Sequence, residues 1–547
     1  MNTEPRTNEV LLQIRDLWIE GQSGDVWSPI VKGVSLQVHR GEVLGLIGES
    51  GAGKSTIGLA AMGFVRPGCR ITAGSVEFGG IELLRLDDRH RRELRSARMA
   101  YVAQSAAASF NPAHRLIDQT TELAVVRGLK KRSEARAQAA RLYEQLRLPE
   151  PDAIGRRYPH QVSGGQLQRV MTAMAMLCAP DLIVFDEPTT ALDVTTQVEV
   201  LAAIRDIVER SHTAAIYITH DLAVVAQMAQ RIMVLRHGST VEEAPTGEML
   251  REPKESYTRS LWAVRSLAKP EITGKEMILR VENVDAAYGP LKVLDRVSVQ
   301  VPRGCTVAVV GESGSGKSTL ARVVVGLLPP LDGRVIFDGK PLPPRLRDRN
   351  TSLLRRIQLV FQSADTSLNP RQKVRDAIGR PLEFYLGLTG KARERRTIEL
   401  LQLTEMSELY LDRFPGELSG GEKQRVCIAR ALAADPELVI CDEVTSALDQ
   451  IVQEEILKLL MRLQQKLGIT YLFITHDIAV VRAIADEIIV MHQGRVVQQG
   501  TKTNVLTPPH PDYTGRLLSA VPEMDPDWLS RFLEQQGRTK PSPLHNH

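Results

Sequence analysis

The sequence predicts an α/β fold, built as two tandem domains that each contain a helical insertion. The first observation is a set of short motifs that occurs twice in the same order. Lys317 follows Lys54 by 263 residues, and Glu443 follows Glu187 by 256. A nearly constant offset between such landmarks indicates a tandem duplication. The second observation is that short apolar runs alternate with helix-like segments, which is typical of a parallel sheet covered by helices on both faces.

The elements of the first repeat follow an order that the second repeat reproduces. Leu11–Ile19 is predicted as an opening strand, and a short apolar run then leads into a Gly-rich loop and a helix at Lys54–Val65. The stretch from Ser105 to Gln161 is rich in Arg, Ala, Glu and Leu and is predicted to be the helical insertion. Apolar strands at 182–185 and 214–219 complete the repeat. The corresponding segments of the second repeat are Met277–Val284, Lys317–Leu327, Ser363–Glu417, 438–441 and 470–475.

The repeat divides the chain into four predicted segments. The domains are expected at residues 1–266 and 277–522. Between them, 267–276 contains Pro, Gly and charged residues and is predicted to be a linker. The polar, Pro-containing remainder, 523–547, is expected to be a partly disordered tail.

Size, charge and cysteine content exclude several classes of protein. The 547 residues carry a net charge of only +4, too small over this length to indicate a nucleic-acid partner. The five cysteines include no CxxC pair, which disfavours zinc and iron–sulfur sites and fits a reducing compartment. No apolar run approaches the 18 residues of a membrane span, and the first residues lack a secretory signal, so a soluble chain is predicted.

Each Gly-rich loop fits the pattern GxxxxGK[ST] between a strand and a helix. Glycines let successive backbone N–H groups point at phosphate oxygens, the lysine reaches the β- and γ-phosphates, and the hydroxyl ligates Mg²⁺. The predicted nucleotide-binding residues of the first loop are Gly48, Glu49, Ser50, Gly51, Ala52, Gly53, Lys54, Ser55 and Thr56. Those of the second are Gly311, Glu312, Ser313, Gly314, Ser315, Gly316, Lys317, Ser318 and Thr319.

A pair of carboxylates closes one apolar strand in each repeat, and a histidine closes another. Buried carboxylates at a strand end are costly unless a cation or substrate meets them. We therefore predict that Asp186 and Asp442 contact Mg²⁺ and that Glu187 and Glu443 act as general bases on the attacking water. A lone histidine is more often structural. Its recurrence 33 residues after each glutamate predicts that His220 and His476 bind the γ-phosphate.

A serine and two glycines precede an apolar helix in each repeat. The serine is a good N-cap, and a Gly-rich helix N-terminus is also an anion site. The residues predicted to contact nucleotide here are Ser163, Gly164, Gly165 and Gln166, and Ser419, Gly420, Gly421 and Glu422.

Together with Gln104, Gln362 and the segments Thr190–Asp193 and Ser446–Asp449, these motifs resemble the ATP-binding-cassette ATPases. The resemblance implies ATP and Mg²⁺ as cofactors. It also implies that each domain has a RecA-like core, an antiparallel β subdomain and a helical subdomain. In that family the signature serine of one cassette closes the ATP held by the other cassette's loop, which pairs Lys54 with Ser419 and Lys317 with Ser163. Gln104 and Gln362 would contact Mg²⁺ or the water. The implied Mg²⁺ residues are Ser55, Ser318, Gln104, Gln362, Asp186 and Asp442.

The cassette ends resemble one subfamily more closely. His510–Pro522 (HPDYTGRLLSAVP), a weaker copy at Lys254–Trp262, and the dipeptides Asn111–Pro112 and Asn369–Pro370 are similar to peptide, dipeptide and nickel importer ATPases. This resemblance implies import of a small solute, most directly peptides. It implies two separate permease subunits, a solute-binding protein, and a peripheral location on the cytoplasmic face of a bacterial inner membrane. The C-terminal cysteine cluster of some members is absent from this sequence.

Two features depart from the family pattern. Pro188 follows the first carboxylate pair as expected, whereas Val444 follows the second, and we expect it to alter the turn beside Glu443. Tyr288 is the expected adenine-stacking residue of the second cassette. In the first cassette Trp27 is equally explained as a stacking residue or a packing residue. Both sites keep the lysine, glutamate and histidine, so both are expected to hydrolyse ATP.

The alternative from another class is a soluble tandem-cassette ATPase that acts on ribosomes or nucleic acid. A long charged linker would favour it, and the predicted linker is short. Export is a third possibility, which the HPDYT-type ends disfavour.

Overall fold

The computed structural model describes residues 9–189, 192–263, 269–272, 274, 276–446 and 448–536. The chain forms two compact units. The first unit contains Met1–Trp262 together with Ala520–His547, and the second contains Ala263–Ser519. Within the described residues no helix has both the length and the apolar character needed to cross a membrane.

The first unit contains two sheets. Its strands are β1 Val10–Ser23, β2 Val26–His39, β3 Val43–Gly48, β4 Cys69–Phe78, β5 Ile81–Glu82, β6 Met99–Val102, β7 Leu182–Asp186, β8 Ala214–Ile218, β9 Arg231–Arg236 and β10 Ser239–Pro245. One sheet is antiparallel, in the order β2-β1-β4-β5. The other, in the order β10-β9-β3-β8-β7-β6, is parallel except for β10. Strands β7 and β8 are buried throughout, which explains why they are continuous apolar runs.

Helices cover the parallel sheet and form the insertion between β6 and β7. They are α1 Lys54–Ala60, α2 Asp88–Ala97, α3 Ala106–Ser109, α4 Leu116–Val126, α5 Arg132–Gln145, α6 Pro151–Ile154, α7 Gly164–Met176, α8 Val194–Ser211, α9 Leu222–Met228, α10 Thr246–Arg251 and α11 Ser256–Ala263. Several begin at the side-chain caps that the sequence offers. Asp193 caps α8 and Asp221 caps α9, each accepting from a backbone N–H of the first turn.

The second unit repeats this architecture. Its strands are β11 Met277–Tyr288, β12 Leu291–Pro302, β13 Thr306–Val310, β14 Asp332–Phe337, β15 Lys340–Pro341, β16 Ile357–Val360, β17 Leu438–Asp442, β18 Thr470–Ile474, β19 Glu487–His492 and β20 Arg495–Thr501. The sheet orders are β12-β11-β14-β15 and β16-β17-β18-β13-β19-β20. The predicted α/β fold with a helical insertion in each repeat is therefore confirmed.

Helices of the second unit occupy matching positions. They are α12 Lys317–Val325, α13 Thr351–Arg356, α14 Ala364–Ser367, α15 Val374–Leu386, α16 Gly390–Leu403, α17 Gly420–Leu432, α18 Gln450–Leu467, α19 Ile478–Ile484, α20 Lys502–Leu506 and α21 Asp512–Ser519. The helices after the Gly-rich loops are shorter than the sequence predicts. Helix α12 ends at Val325 because Gly326 adopts a left-handed conformation, with φ of 83°. Helix α1 ends at Ala60, and the chain then turns at Gly63, with φ of 64°.

The predicted tail contains a packed helix, α22 Trp528–Gln535, which belongs to the first unit. Trp528 and Leu529 are buried. The Gln227 amide donates to the carbonyl oxygens of Glu523 and Asp525, both at 2.8 Å, and its oxygen accepts from Leu529 N at 3.0 Å. Residues 523–536 thus form an ordered extension, and 537–547 lie outside the described residues.

Part of the predicted linker packs against the second unit. Lys269 Nζ lies 2.6 Å from Asp486 Oδ2 and donates to Gln464 Oε1 at 2.7 Å, and all three side chains are buried. A buried ion pair requires such additional hydrogen bonds to offset its desolvation. Residues 264–268, 273 and 275 lie outside the described part of the chain.

Candidate nucleotide-binding and hydrolysis sites

Each Gly-rich loop leaves the central strand of a parallel sheet and ends where a helix begins. A Cβ atom at Gly48 would lie 2.1 Å from the carbonyl oxygen of Leu235, and one at Gly311 would lie 2.1 Å from that of Met491. Only glycine therefore fits at the start of either loop. Gly53 and Gly316 precede the helices with φ of 90° and 100°, which glycine adopts without strain.

The lysine of each loop is buried and directed back into the loop. Lys54 Nζ donates to the carbonyl oxygens of Gly48 and Glu49 at 2.7 and 2.8 Å. Lys317 Nζ makes the same two bonds, to Gly311 and Glu312, both at 2.8 Å. The ammonium groups are thus held where a phosphate-binding loop requires them.

The loop hydroxyl and the strand-end aspartate meet in both units. Ser55 Oγ donates to Asp186 Oδ1 at 2.8 Å, and Ser318 Oγ donates to Asp442 Oδ1 at 2.9 Å. A hydroxyl and a carboxylate are ligands that suit Mg²⁺, so these residues fit the expected metal. Burial raises the pKa of Asp442, against the opposing effect of the Ser318 hydrogen bond.

Tyr101 is a residue of this site that sequence reasoning missed. Its hydroxyl donates to Asp186 Oδ2 at 2.5 Å. Strand β6 pairs Tyr101 with Val184, two residues before Asp186, whereas the second unit pairs Leu359 with Ile440. The only signal in the sequence was one hydroxyl within the short apolar run Met99–Val102.

The predicted glutamine and histidine both contact the predicted general base. Gln104 Nε2 donates to Glu187 Oε2 at 2.9 Å, and His220 Nδ1 lies 3.1 Å from Glu187 Oε1. The sequence predicted that the glutamine contacts Mg²⁺ or water and that the histidine contacts the γ-phosphate. In the structure the partner of both side chains is the glutamate.

The second unit has the same arrangement. Gln362 Nε2 donates to Glu443 Oε2 at 2.7 Å, and His476 Nδ1 lies 3.4 Å from Glu443 Oε1. The histidine hydrogen bond lowers the pKa of Glu443, against the opposing effect of burial. Burial acts to lower the pKa of His220 and His476, but the hydrogen bond and charge of the glutamate outweigh it and raise both. Glu443 is therefore held in its ionised form.

The expectation that Val444 alters the turn beside Glu443 is wrong. Glu187 and Glu443 have φ of 49° and 50°. Their backbone N–H groups donate to Ile218 and Ile474, both at 2.9 Å. Val444 is buried in the apolar core of the second unit. The neighbouring strand, rather than the following proline, holds this backbone conformation.

The signature serines begin helices α7 and α17. Ser163 Oγ accepts from Gln166 N and Gln166 Oε1 accepts from Ser163 N, at 3.3 and 3.1 Å. Ser419 and Glu422 form the same capping box, at 3.3 and 2.7 Å. The serine and first glycine of each signature are exposed, so the helix N-terminus is accessible to a ligand. Of the segments after the carboxylate pairs, Thr190, Ala191 and Ala447 lie outside the described residues.

Both candidate adenine-stacking residues lie at the tip of a hairpin in the antiparallel sheet. Tyr288 is 40% exposed, and its hydroxyl accepts from Arg322 at 2.9 Å. Trp27 pairs with Gln22 across the first hairpin, and the Arg70 guanidinium lies 4.1 Å from its ring centroid. Each of the two aromatic side chains thus contacts an arginine.

Comparison with known proteins agrees with this geometry. The ABC transporter family model matches residues 31–190 and 294–446. The chain therefore belongs to the ABC transporter family, as an ATP-hydrolysing subunit whose activity is coupled to transport. Such a subunit works with permease subunits and is associated with the membrane.

Two relatives match nearly the whole chain. The glutathione import ATP-binding protein GsiA of Salmonella choleraesuis (strain SC-B67) is 36% identical over 553 residues, which cover 93% of this chain and 88% of the relative. GsiA of Escherichia coli (strain K12) is 36% identical over 546 residues, 91% of this chain and 87% of the relative.

A solved structure shares the fold. The complex of archaeal ribosomal stalk protein aP1 and archaeal ribosome recycling factor aABCE1 contains a chain that is 19% identical, with a TM-score of 0.61. The match covers 91% of this chain and 94% of that one.

Proposed function

We propose that this chain energises the import of short peptides or peptide-like solutes, a class that includes glutathione. The 36% identity to a glutathione import ATP-binding protein, over 93% of this chain, is the single observation that carries this proposal. Two permease subunits and a solute-binding protein complete the importer, and the chain binds the permeases at the cytoplasmic face of a bacterial inner membrane. The resemblance of His510–Pro522 to peptide importer ATPases adds support.

Hydrolysis follows from the contacts around each glutamate. Glu187 or Glu443 accepts a proton from the water that attacks the γ-phosphate in line. His220 or His476 donates to the γ-phosphate, and Gln104 or Gln362 orients the water. Ser55 with Asp186, and Ser318 with Asp442, would hold Mg²⁺, which would supply charge neutralisation at the phosphates.

We propose that the signature serines take part in nucleotide binding. The capped N-termini of α7 and α17 expose N–H groups that suit a phosphate. Ser163→Arg with Ser419→Arg is then expected to weaken nucleotide trapping. Unchanged trapping in this double variant would refute the role.

We infer that a permease binds the second unit beside Gln362. A cavity of about 560 Å³ is lined by residues of β16, α14, α15 and α17 and by Phe361, among them Tyr385 and Arg430. Phe361 is 46% exposed. An aromatic pocket next to the glutamine that bonds Glu443 can transmit nucleotide state to a bound permease helix.

Reconstitution tests the proposal. The chain, its permeases and its binding protein are placed in proteoliposomes, and ATP-dependent uptake of labelled dipeptides, tripeptides and glutathione is measured. Uptake of one of these classes is expected, with loss in the Glu187→Gln, Glu443→Gln double variant. Co-purification of the chain with ribosomes and never with permeases would overturn the proposal in favour of the ribosomal alternative.

A further inference from the structure

In each unit a tyrosine from the segment after the cassette reaches the second residue of the phosphate loop. Glu49 N donates to the hydroxyl of Tyr257 on α11 at 3.3 Å, and Glu312 N donates to the hydroxyl of Tyr513 on α21 at 3.1 Å. Both tyrosines are buried, with exposures of 7% and 6%. Tyr513 is the tyrosine of the HPDYT segment, to which the hydrolysis chemistry assigns no role.

The peptide that the tyrosine holds is also held by the lysine. The Glu49 carbonyl accepts from Lys54 Nζ at 2.8 Å, and the Glu312 carbonyl accepts from Lys317 Nζ at 2.8 Å. The N–H of this residue points to the phenol, so it is not one of the N–H groups that point to phosphate. The tyrosine and the lysine therefore fix the loop's entry residue through its two backbone polar groups.

An arginine or a histidine at the end of the neighbouring strand packs against each tyrosine ring. The Arg236 guanidinium lies 4.6 Å from the Tyr257 ring centroid. His492 stacks on Tyr513, with ring centroids 3.9 Å apart and an angle of 29° between the planes. Arg236 and His492 end β9 and β19, the strands that pair with β3 and β13, which lead into the loops. The phenol is thus fixed relative to the strand from which the loop departs.

We propose that Tyr257 and Tyr513 are positioning residues that keep the phosphate loops in their nucleotide-binding conformation. The tyrosine anchors the entry peptide at its N–H, beside the lysine bond at its carbonyl oxygen. Without the hydroxyl the loop gains other conformations, and ATP affinity falls because only a fraction of molecules is competent to bind. The inference rests on the proposal that these loops bind the nucleotide.

Binding of a fluorescent ATP analogue, MANT-ATP, to the full-length chain tests this for the second loop. The Lys54→Ala background disables the first loop, so that binding reports on the second. Tyr513→Phe removes one hydroxyl and keeps the ring, and the loss of one hydrogen bond is expected to raise Kd by roughly three- to tenfold. In the chain with both lysines, Tyr513→Phe is expected to raise KM for ATP and to change kcat by less than about twofold, because the phenol does not touch the reacting atoms.

Tyr471→Phe is the matched control in the same unit. Tyr471 is buried in β18, and its hydroxyl has no hydrogen-bond partner among the described residues. We expect it to leave Kd, KM and kcat unchanged. Tyr257→Phe in a Lys317→Ala background repeats the test for the first loop.

Each other outcome has a defined meaning. The positioning role is overturned if Tyr513→Phe binds like its parent, or if it lowers kcat without raising KM. It is also overturned if Tyr513→Phe both binds more weakly and unfolds at a lower temperature than its parent. The hydroxyl would then stabilise the fold in general. The assignment of the loops themselves fails separately, if the Lys54→Ala, Lys317→Ala double variant still binds MANT-ATP with the parent affinity.

Discussion

Glu187 and Glu443 make the same contacts in the two units, whereas the aspartates that precede them have different neighbours. The glutamine lies 2.9 Å from Glu187 and 2.7 Å from Glu443, and both glutamates share the same positive φ. Behind the preceding aspartate, Tyr101 donates to Asp186, whereas Leu359 stands at the corresponding position and has no donor to offer Asp442. The two units thus share the contacts of the proposed general base and differ in the neighbour of the preceding aspartate.

This difference leads to separate expectations for the rate of hydrolysis and for the affinities of the two sites. Equal geometry at the glutamates predicts equal chemistry, because positioning and charge decide the rate of phosphoryl transfer. Different neighbours of the aspartate and of the adenine position predict different affinities for metal and nucleotide.

The largest expected effect is at the glutamates. Glu187→Gln with Glu443→Gln removes both general bases, and kcat of the steady-state ATPase is expected to fall at least about a hundredfold. The two single variants are expected to lose similar fractions of activity. Binding of MANT-ATP by the double variant is the control for folding. Strongly unequal single variants would break the equivalence of the two units, and an unchanged double variant would remove the general-base role.

The next effect concerns the adenine position. Tyr288→Ala removes an exposed ring, and stacking of a base on an aromatic side chain contributes roughly 1–3 kcal/mol. We expect MANT-ATP affinity at the second loop, measured with Lys54→Ala, to fall at least about fivefold. Trp27→Ala, measured with Lys317→Ala, decides the open question in the first unit. A similar loss identifies Trp27 as a stacking residue, and no loss identifies it as a packing partner of Arg70.

A smaller effect is expected at Tyr101. Its hydroxyl takes up part of the negative charge of Asp186, so Tyr101→Phe leaves the carboxylate a stronger partner for a bound cation. The Mg²⁺ concentration for half-maximal MANT-ATP binding at the first loop, with Lys317→Ala, is expected to fall about threefold. Leu359→Tyr in the second unit is expected to have the opposite effect. If neither substitution changes the Mg²⁺ dependence, the difference between the units has no role in metal binding.

The features that the sequence predicted are those whose residues are close together in the chain or repeated in register. The loops, the carboxylate pairs and the serine caps are of this kind, because a strand end or a helix start brings their residues together locally. The contacts that it missed join distant segments. Tyr513 lies 201 residues from Glu312, and Tyr101 lies 85 from Asp186. No periodicity marks such contacts, because strand order and helix docking alone create them. The helix at Trp528 was missed for the same reason, since its partner Gln227 is far away in the chain.

The smallest expected effect concerns an ion-pair cluster that differs between the two units. In the second unit Glu437 and Asp338 bridge Arg303 and Arg356, with 2.7 Å between Arg303 and each carboxylate. In the first unit Asp181 bonds Arg98 at 2.6 Å, and Gly79 stands where the second unit has Asp338. The second unit therefore has the larger ion-pair cluster.

The hydrogen bond from Arg356, opposed by burial, lowers the pKa of Glu437. A carboxylate with a lowered pKa stabilises the fold above its unfolded pKa of about 4.3, and this stability is lost as the pH falls through the lower folded value. Glu437→Gln is thus expected to destabilise the second unit at pH 7 by less than about 1 kcal/mol, because the side chain is one-third exposed. The difference should shrink below about pH 4. Hydrogen exchange of peptides covering β16 and β17 measures it, with Asp181→Asn as the first unit's counterpart. A loss that is the same at pH 7 and pH 3.5 would assign the effect to packing instead of charge.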